Sequence, residues 1–160
     1  MKKILILGTI ITFLLTINFE SKTLLNKENI KDITLEEKIG FIDIKEIMVK
    51  SEIKEGTTND ILNQNVVGHV KESSLSFSKT VILAAHNDTV FLGLDRLKKG
   101  SVIELTLYGI KNEYIVNEVK IIAKNDYTNF KEEQNKLILI TCTEDEDKRL
   151  IVIAYLKNVN

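Results

Sequence analysis

Two apolar, β-branched runs stand near the C-terminal end, Lys136-Leu-Ile-Leu-Ile-Thr-Cys142-Thr143 and Arg149-Leu-Ile-Val-Ile-Ala-Tyr155, with a short acidic stretch between them. Runs that are apolar throughout, rather than at every second position, predict strands buried on both faces, here joined by an exposed loop. Cys142 falls where the first strand ends and Arg149 where the second begins. Antiparallel pairing therefore brings a thiol and a guanidinium to the same end of one sheet.

The same pattern organises the chain upstream. Residues Ile39 to Ile47 alternate well enough for a strand with one buried face, and Met48 to Ile53 continue as a second short one. Glu55-Gly56 signals a turn, and Thr57-Thr58-Asn59-Asp60 offers caps for a single helical turn through Leu62. Val66 to Val70 reads as a short strand and Lys71 to Lys79 as a Ser-rich loop. Thr80 to His86 follows as a buried strand that ends on histidine. After the Asn87-Asp88-Thr89 turn, Val90 to Leu97 suits a short helix stopped at Lys99-Gly100. Strands at Val102 to Tyr108 and Tyr114 to Ala123 come next, then a connection around Asn125 to Gln134 with room for a helical turn. Roughly eight short strands and almost no long helix predict a mainly β fold closed, or nearly closed, into a barrel.

Composition narrows the class. The chain has 160 residues, of which 44% are hydrophobic, enough for one domain with a core and not for two. Its formal net charge is −1 with both signs interspersed, so nothing marks a nucleic-acid footprint. Lys2 and Lys3 precede an uncharged run from Ile4 to Phe19, about 16 residues, between a signal-peptide core and a full membrane span. No small-x-small cleavage pattern follows it. Residues 1–20 are therefore expected to be an uncleaved signal anchor, a single-pass membrane helix with its positive end inside and the body of the chain outside. Residues 21–38 read as a juxtamembrane stalk, and 39–160 as the folded domain.

An exported chain with one cysteine cannot staple itself, so structural need does not explain Cys142. Taken alone, the residues also have ordinary explanations: a cysteine ending an apolar strand is often a small buried hydrophobe, and an arginine opening one is often a solvated guard against edge pairing. His86 shares with Cys142 the property of being the first reactive residue after a strand buried on both faces. Rigid elements ending at one rim are where functional groups are held most accurately.

These segments together resemble the sortases, membrane-anchored cysteine transpeptidases of Gram-positive bacteria, over essentially the whole of Ile39 to Leu156. Leu139-Ile-Thr-Cys142 is similar to the family's Thr-x-Thr-Cys or Leu-x-Thr-Cys signature, with Arg149 where the family's arginine opens the next strand. Val81-Ile-Leu-Ala-Ala-His86 is similar to its Val-x-Ala-Gly-His strand. Ile39-Gly-Phe-Ile-Asp-Ile, Glu55-Gly-Thr-Thr58, and Val67-Gly-His69 followed by Ser73-Ser-Leu75 match its first half in order and spacing. The chain departs from the pattern at Lys45, usually proline, and at Ala85, usually glycine. His86-Asn-Asp-Thr-Val-Phe91 looks most like the class D group.

The resemblance implies an eight-stranded sortase-like barrel. It also implies a mechanism in which Cys142 attacks a scissile carbonyl in a C-terminal sorting signal, often LPxTG-like. An amine on peptidoglycan or pilin then resolves the thioacyl enzyme. A thiol near its ordinary pKa of about 8.5 needs a neighbouring base or positive charge, a part that falls to His86. Arg149 is expected to hold the developing oxyanion or the substrate backbone, and Thr141 to help position that oxygen. His69, the only other histidine, is expected to be a satisfied loop or core residue. The carboxylates of Glu144 to Asp147 read as a solvated loop tip or as an acidic lip attracting a cationic amine. No metal or cofactor is assigned. Two rival readings are an exported cysteine protease or amidase that uses water as acceptor, and a non-catalytic, membrane-tethered barrel that binds another protein and keeps Cys142 buried.

Overall fold

The computed structural model describes residues 38–145 and 147–157, so the expected anchor and nearly all of the expected stalk lie outside the described residues. No helix among the described residues is long and apolar enough to cross a membrane. The strands are β1 (Lys38–Ile44), β2 (Val49–Glu55), β3 (Val67–His69), β4 (Thr80–Ala84), β5 (Val102–Leu107), β6 (Ile110–Ala123), β7 (Lys136–Cys142) and β8 (Lys148–Leu156). One helical turn, α1 (Asn59–Leu62), and three 3-10 turns, at Lys45–Ile47, Leu94–Arg96 and Thr128–Phe130, complete the regular structure among the described residues. The strands close into a barrel in the order β1-β2-β3-β4-β7-β8-β6-β5, with β5 returning to β1. Two neighbouring pairs, β2 with β3 and β4 with β7, run parallel.

Side-chain alternation decides which face each strand gives to the interior. In β1 and β5 the inner residues are Ile42, Ile44, Ile103, Leu105 and Leu107, and the intervening positions meet solvent. On the opposite wall β4, β7 and β8 are apolar on both faces. Val81, Leu83, Leu137, Leu139, Val152 and Ala154 face the main core. Ile82, Ile138, Ile151 and Ile153, joined by Ile122 of β6, form a second buried cluster on the outer face. The continuous apolar runs of β7 and β8 are thus accounted for: each strand is covered twice.

At the seam between β1 and β5, a Cβ on Gly40 would stand 1.9 Å from the Thr106 carbonyl oxygen, so only glycine lets the two backbones approach there.

The strand expected to end on His86 stops at Ala84, and the second strand runs Val49–Glu55 rather than Met48 to Ile53. Three further boundaries differ from the sequence expectation, each for a local backbone reason. The first strand stops at Ile44 because Lys45–Ile47 coils into a 3-10 turn that Met48 ends in the left-handed region, φ 57°. The helix expected over Val90 to Leu97 shrinks to Leu94–Arg96 because Gly93, at φ 79°, interrupts it. Finally, β6 starts at Ile110 rather than Tyr114, because Tyr108 and Gly109 both take positive φ, 49° and 81°, and make the two-residue hairpin that matches strand twist.

Candidate active site

Three adjacent strands bring the reactive residues into one row. β4 and β7 run in parallel register with Ala84 beside Ile140, and the Ala85 N–H still donates to the Ile140 carbonyl at 3.3 Å. Two residues further along each chain stand His86 and Cys142. In the antiparallel β7–β8 ladder Cys142 lies directly opposite Arg149, and in the β6–β8 ladder Arg149 lies opposite Ile122. Partners across a ladder share a face, so the thiol and the guanidinium belong to the same side of the sheet. Cys142 is two residues beyond Ile140, and Arg149 two before Ile151, so that side is the outer one. Cys142 is exposed and carries no disulfide.

His86 is oriented by a residue that the sequence pattern did not single out. Its Nε2–H donates to Asn63 Oδ1 at 3.1 Å, from the turn that follows α1. This bond leaves Nδ1 as the basic nitrogen of the neutral ring. The Thr57-to-Asp60 cluster signalled a helical turn here, but nothing in the local sequence ties Asn63 to a histidine 23 positions later.

Thr141 sits between the two reactive strands but points to the buried side. Its hydroxyl donates to the Ala85 carbonyl at 2.7 Å, fastening β7 to the chain one residue before His86. Its geometry is therefore that of a strap between the histidine strand and the cysteine strand. Arg149 Nη1 donates to the Lys148 carbonyl at 2.6 Å. His69 stands apart from the row. Buried on β3, it donates from Nδ1 to the Glu55 carboxylate at 3.0 Å, and its Nε2 lies 2.9 Å from Ser73 Oγ. Ser73 Oγ in turn accepts the Ile82 N–H at 3.1 Å, so His69 anchors the β3–β4 connection to β4.

The outer-face cluster behind Cys142 is walled by Val70 from the β3–β4 connection and Phe130 from the β6–β7 connection. Phe130 is held in place by its neighbours. Lys136, nearly fully buried, donates to the Asn129 carbonyl at 3.0 Å and to Glu133 Oε1 at 2.6 Å. Tyr155 donates to Glu133 Oε2 at 2.9 Å, and the Glu133 N–H donates to Thr80 Oγ1 at 2.7 Å. The Lys136 ammonium, and after it the Tyr155 hydroxyl, hold the Glu133 carboxyl below its ordinary range.

On the other side of Cys142 opens a groove of about 320 Å³, walled by Phe91, Leu92, Leu94 and Leu150 with Asp95 and Glu144 at its margin. The loop between Cys142 and Arg149 is partly self-neutralised. Lys148 pairs with Asp145 at 2.9 Å, which lowers the Asp145 pKa, and Thr143 Oγ1 donates to the Asp145 carbonyl at 2.6 Å.

The Sortase domain model matches residues 42–157. The chain belongs to the sortase family. Sortase C from Clostridium perfringens SM101 is 28% identical with a TM-score of 0.70, the match covering 77% of this chain and 71% of that one. Sortase C1 of Streptococcus agalactiae is 27% identical with a TM-score of 0.71, covering 78% and 69%. Sortase C-1 of Actinomyces oris is 27% identical with a TM-score of 0.71, covering 77% and 76%. A further structure holds the C. perfringens sortase C with the C-terminal cell wall sorting motif. No curated protein matches the chain. The sortase barrel expected from the motifs is the barrel observed.

Proposed function

We propose that this sortase is a cysteine transpeptidase that cleaves a C-terminal, LPxTG-like sorting signal and passes the protein to an amine on cell wall or pilin. His86 takes the thiol proton as Cys142 Sγ attacks the scissile carbonyl, and the carbonyl π pair moves onto oxygen. Arg149, directly across the ladder, neutralises that oxyanion, an interaction of the kind worth about 2 to 4 kcal/mol in the barrier. When the tetrahedral adduct collapses, the C–N bond breaks and His86 gives a proton to the departing amine. An incoming amine then attacks the thioester and gives its proton to His86; the C–S bond breaks, and His86 returns that proton to the departing thiolate. Asn63 and Thr141 act as positioning residues, one for the imidazole and one for the strand ends. The outer-face aliphatic cluster and the connections carrying Val70 and Phe130 form the wall against which the signal peptide lies. Residues 1–20 tether the domain to the outer side of the cell membrane, a reading that rests on the uncharged run from Ile4 to Phe19.

The observation that carries this reading is the register Cys142 opposite Arg149 with an exposed thiol, beside the strand that ends two residues before His86. The full chain is to be offered a panel of sorting-signal peptides and the thioester identified by mass. Wild type and His69→Ala accumulate the adduct, whereas Cys142→Ala gives none and His86→Ala accumulates it at least 100-fold more slowly. A dead His69→Ala beside an active His86→Ala overturns the assignment. Adduct that only hydrolyses, whatever amine is added, replaces transpeptidase with hydrolase.

A further inference from the structure

A second groove, about 330 Å³, lies next to the one that holds the thiol, and the two share Leu92 as a common wall. Met48 and Leu92, which are 87% and 60% exposed, give it an apolar floor that nothing among the described residues covers. Its charged lining is of one sign. Lys50 and Arg96 line it and no carboxylate does, in a chain whose acidic and basic residues nearly balance, while Lys50 also lines the next groove beside Asp43 and Glu104. Neither cation makes an ion pair with a described residue. The Arg96 guanidinium lies over Gly93, where it would meet an added Cβ at 2.1 Å, and Lys50 faces Asp43 across the β1–β2 ladder without pairing with it.

Position gives this groove a place in the reaction. Thr89, three residues after His86, lines it, as does Asn65, two residues after the Asn63 that orients His86. It therefore opens on the histidine side of the row. In acyl transfer the incoming amine takes the place the leaving amine vacates, because both exchange a proton with the same base. An acceptor must therefore approach over His86, and its remaining atoms must rest on whatever surface continues from there.

We propose that this groove is the acceptor subsite, and that the acceptor is a peptide amine carrying a carboxylate beyond a short apolar segment. The amine reaches the Cys142 thioester past Leu92, the apolar segment lies on Met48 and Leu92, and the carboxylate meets Arg96 and Lys50. This rests on the transpeptidase reading and adds the chemical class of its second substrate.

Two probes test it on the full chain in detergent micelles: Gly-Gly-Leu-Glu amide and Gly-Gly-Leu-Gln amide, equal in size and differing by one charge. The chain has two methionines, Met1 and Met48, so a 13C-methyl label gives the groove its own resonance. The glutamate peptide shifts the Met48 signal at about fivefold lower concentration than the glutamine peptide, the discrimination two exposed cations supply. In the transfer assay with a sorting-signal donor it half-saturates at a similarly lower concentration. The double variant Lys50→Gln/Arg96→Gln loses the preference in both readouts, whereas Lys99→Gln, outside the groove, keeps it. Equal titration of Met48 by the two peptides, or a preference that survives the double variant, overturns the proposal. Selective binding at Met48 with no thioester from any donor leaves the acidic-peptide site standing and removes the transpeptidase reading instead.

Discussion

Tyr114 offers a test of the packing argument that does not touch the reaction. Its ring is fully buried in the barrel interior, tilted against Phe77 with centroids 6.4 Å apart, and its hydroxyl has no hydrogen-bond partner among the described residues. In the unfolded chain that hydroxyl is hydrated, so folding loses about 1 to 3 kcal/mol of hydration with no bond in return. Tyr114→Phe removes this penalty and vacates one oxygen, roughly 10 Å³, which at about 24 cal/mol per Å³ gives back only ~0.2 kcal/mol. The variant is therefore expected to be more stable by about 1 kcal/mol or somewhat more, a rise in Tm of about 3 to 6 °C for a domain of this size. Urea denaturation should show a higher midpoint with an unchanged slope.

Alkaline pH supplies an independent arm of the same test. Burial pushes the Tyr114 phenol up from 10.0 to about 12. The folded state keeps a proton that the unfolded state releases, so this contribution to stability is whole below pH 10 and is lost as pH rises towards 12. The phenylalanine variant lacks that descent. A Tyr114→Phe protein destabilised by about 1 kcal/mol or more refutes the reasoning, because it would mean that the hydroxyl is bonded in the folded state, and an alkaline limb identical to that of wild type refutes the burial of the phenol.

Other expectations concern the site and the surface. Asn63→Ala frees the His86 ring and is expected to lower kcat/KM for thioester formation about tenfold. Asn63→Asp keeps an oxygen opposite Nε2–H and should recover most of that loss, whereas equal damage from both variants would deny the orienting role. Thr141→Val strands the Ala85 carbonyl and should destabilise the fold by about 1 to 3 kcal/mol in urea titration, with Thr141→Ser close to wild type. Glu104 is held down to about 2 from 4.5, chiefly by the hydrogen bond from Lys111 and then by that from Lys45. Its contribution is present above pH 4.5 and fades as pH falls towards 2, so thermal melts of Glu104→Gln should lose part of the wild-type acid dependence in that window.

The β7–β8 pair was legible because two uninterrupted apolar runs around a short polar gap admit one simple pairing. That pairing alone fixes Cys142 against Arg149. The approach of His86 was not available from pattern: it depends on β4 running parallel to β7, a pairing made 56 residues apart in sequence and independent of any turn signal. Asn63 escaped for a related reason, since an asparagine ending a helical turn looks like a cap until the fold brings it to an imidazole. Gly93 shows the opposite failure. The apolar spacing of Phe91, Leu94 and Leu97 is truly that of a buried face, but one left-handed residue breaks the helix while leaving the side chains inside.

A sheet that returns on itself leaves no strand standing at an open edge. A visiting peptide cannot be read here by adding one more strand along an open margin, as many extended-peptide binders read theirs. It has to be gripped from the flank by side chains and connecting loops. Such a surface can change the segment it accepts through substitutions at Val70, Phe130 or their neighbours, while the ring that carries sulfur, imidazole and guanidinium stays as it is.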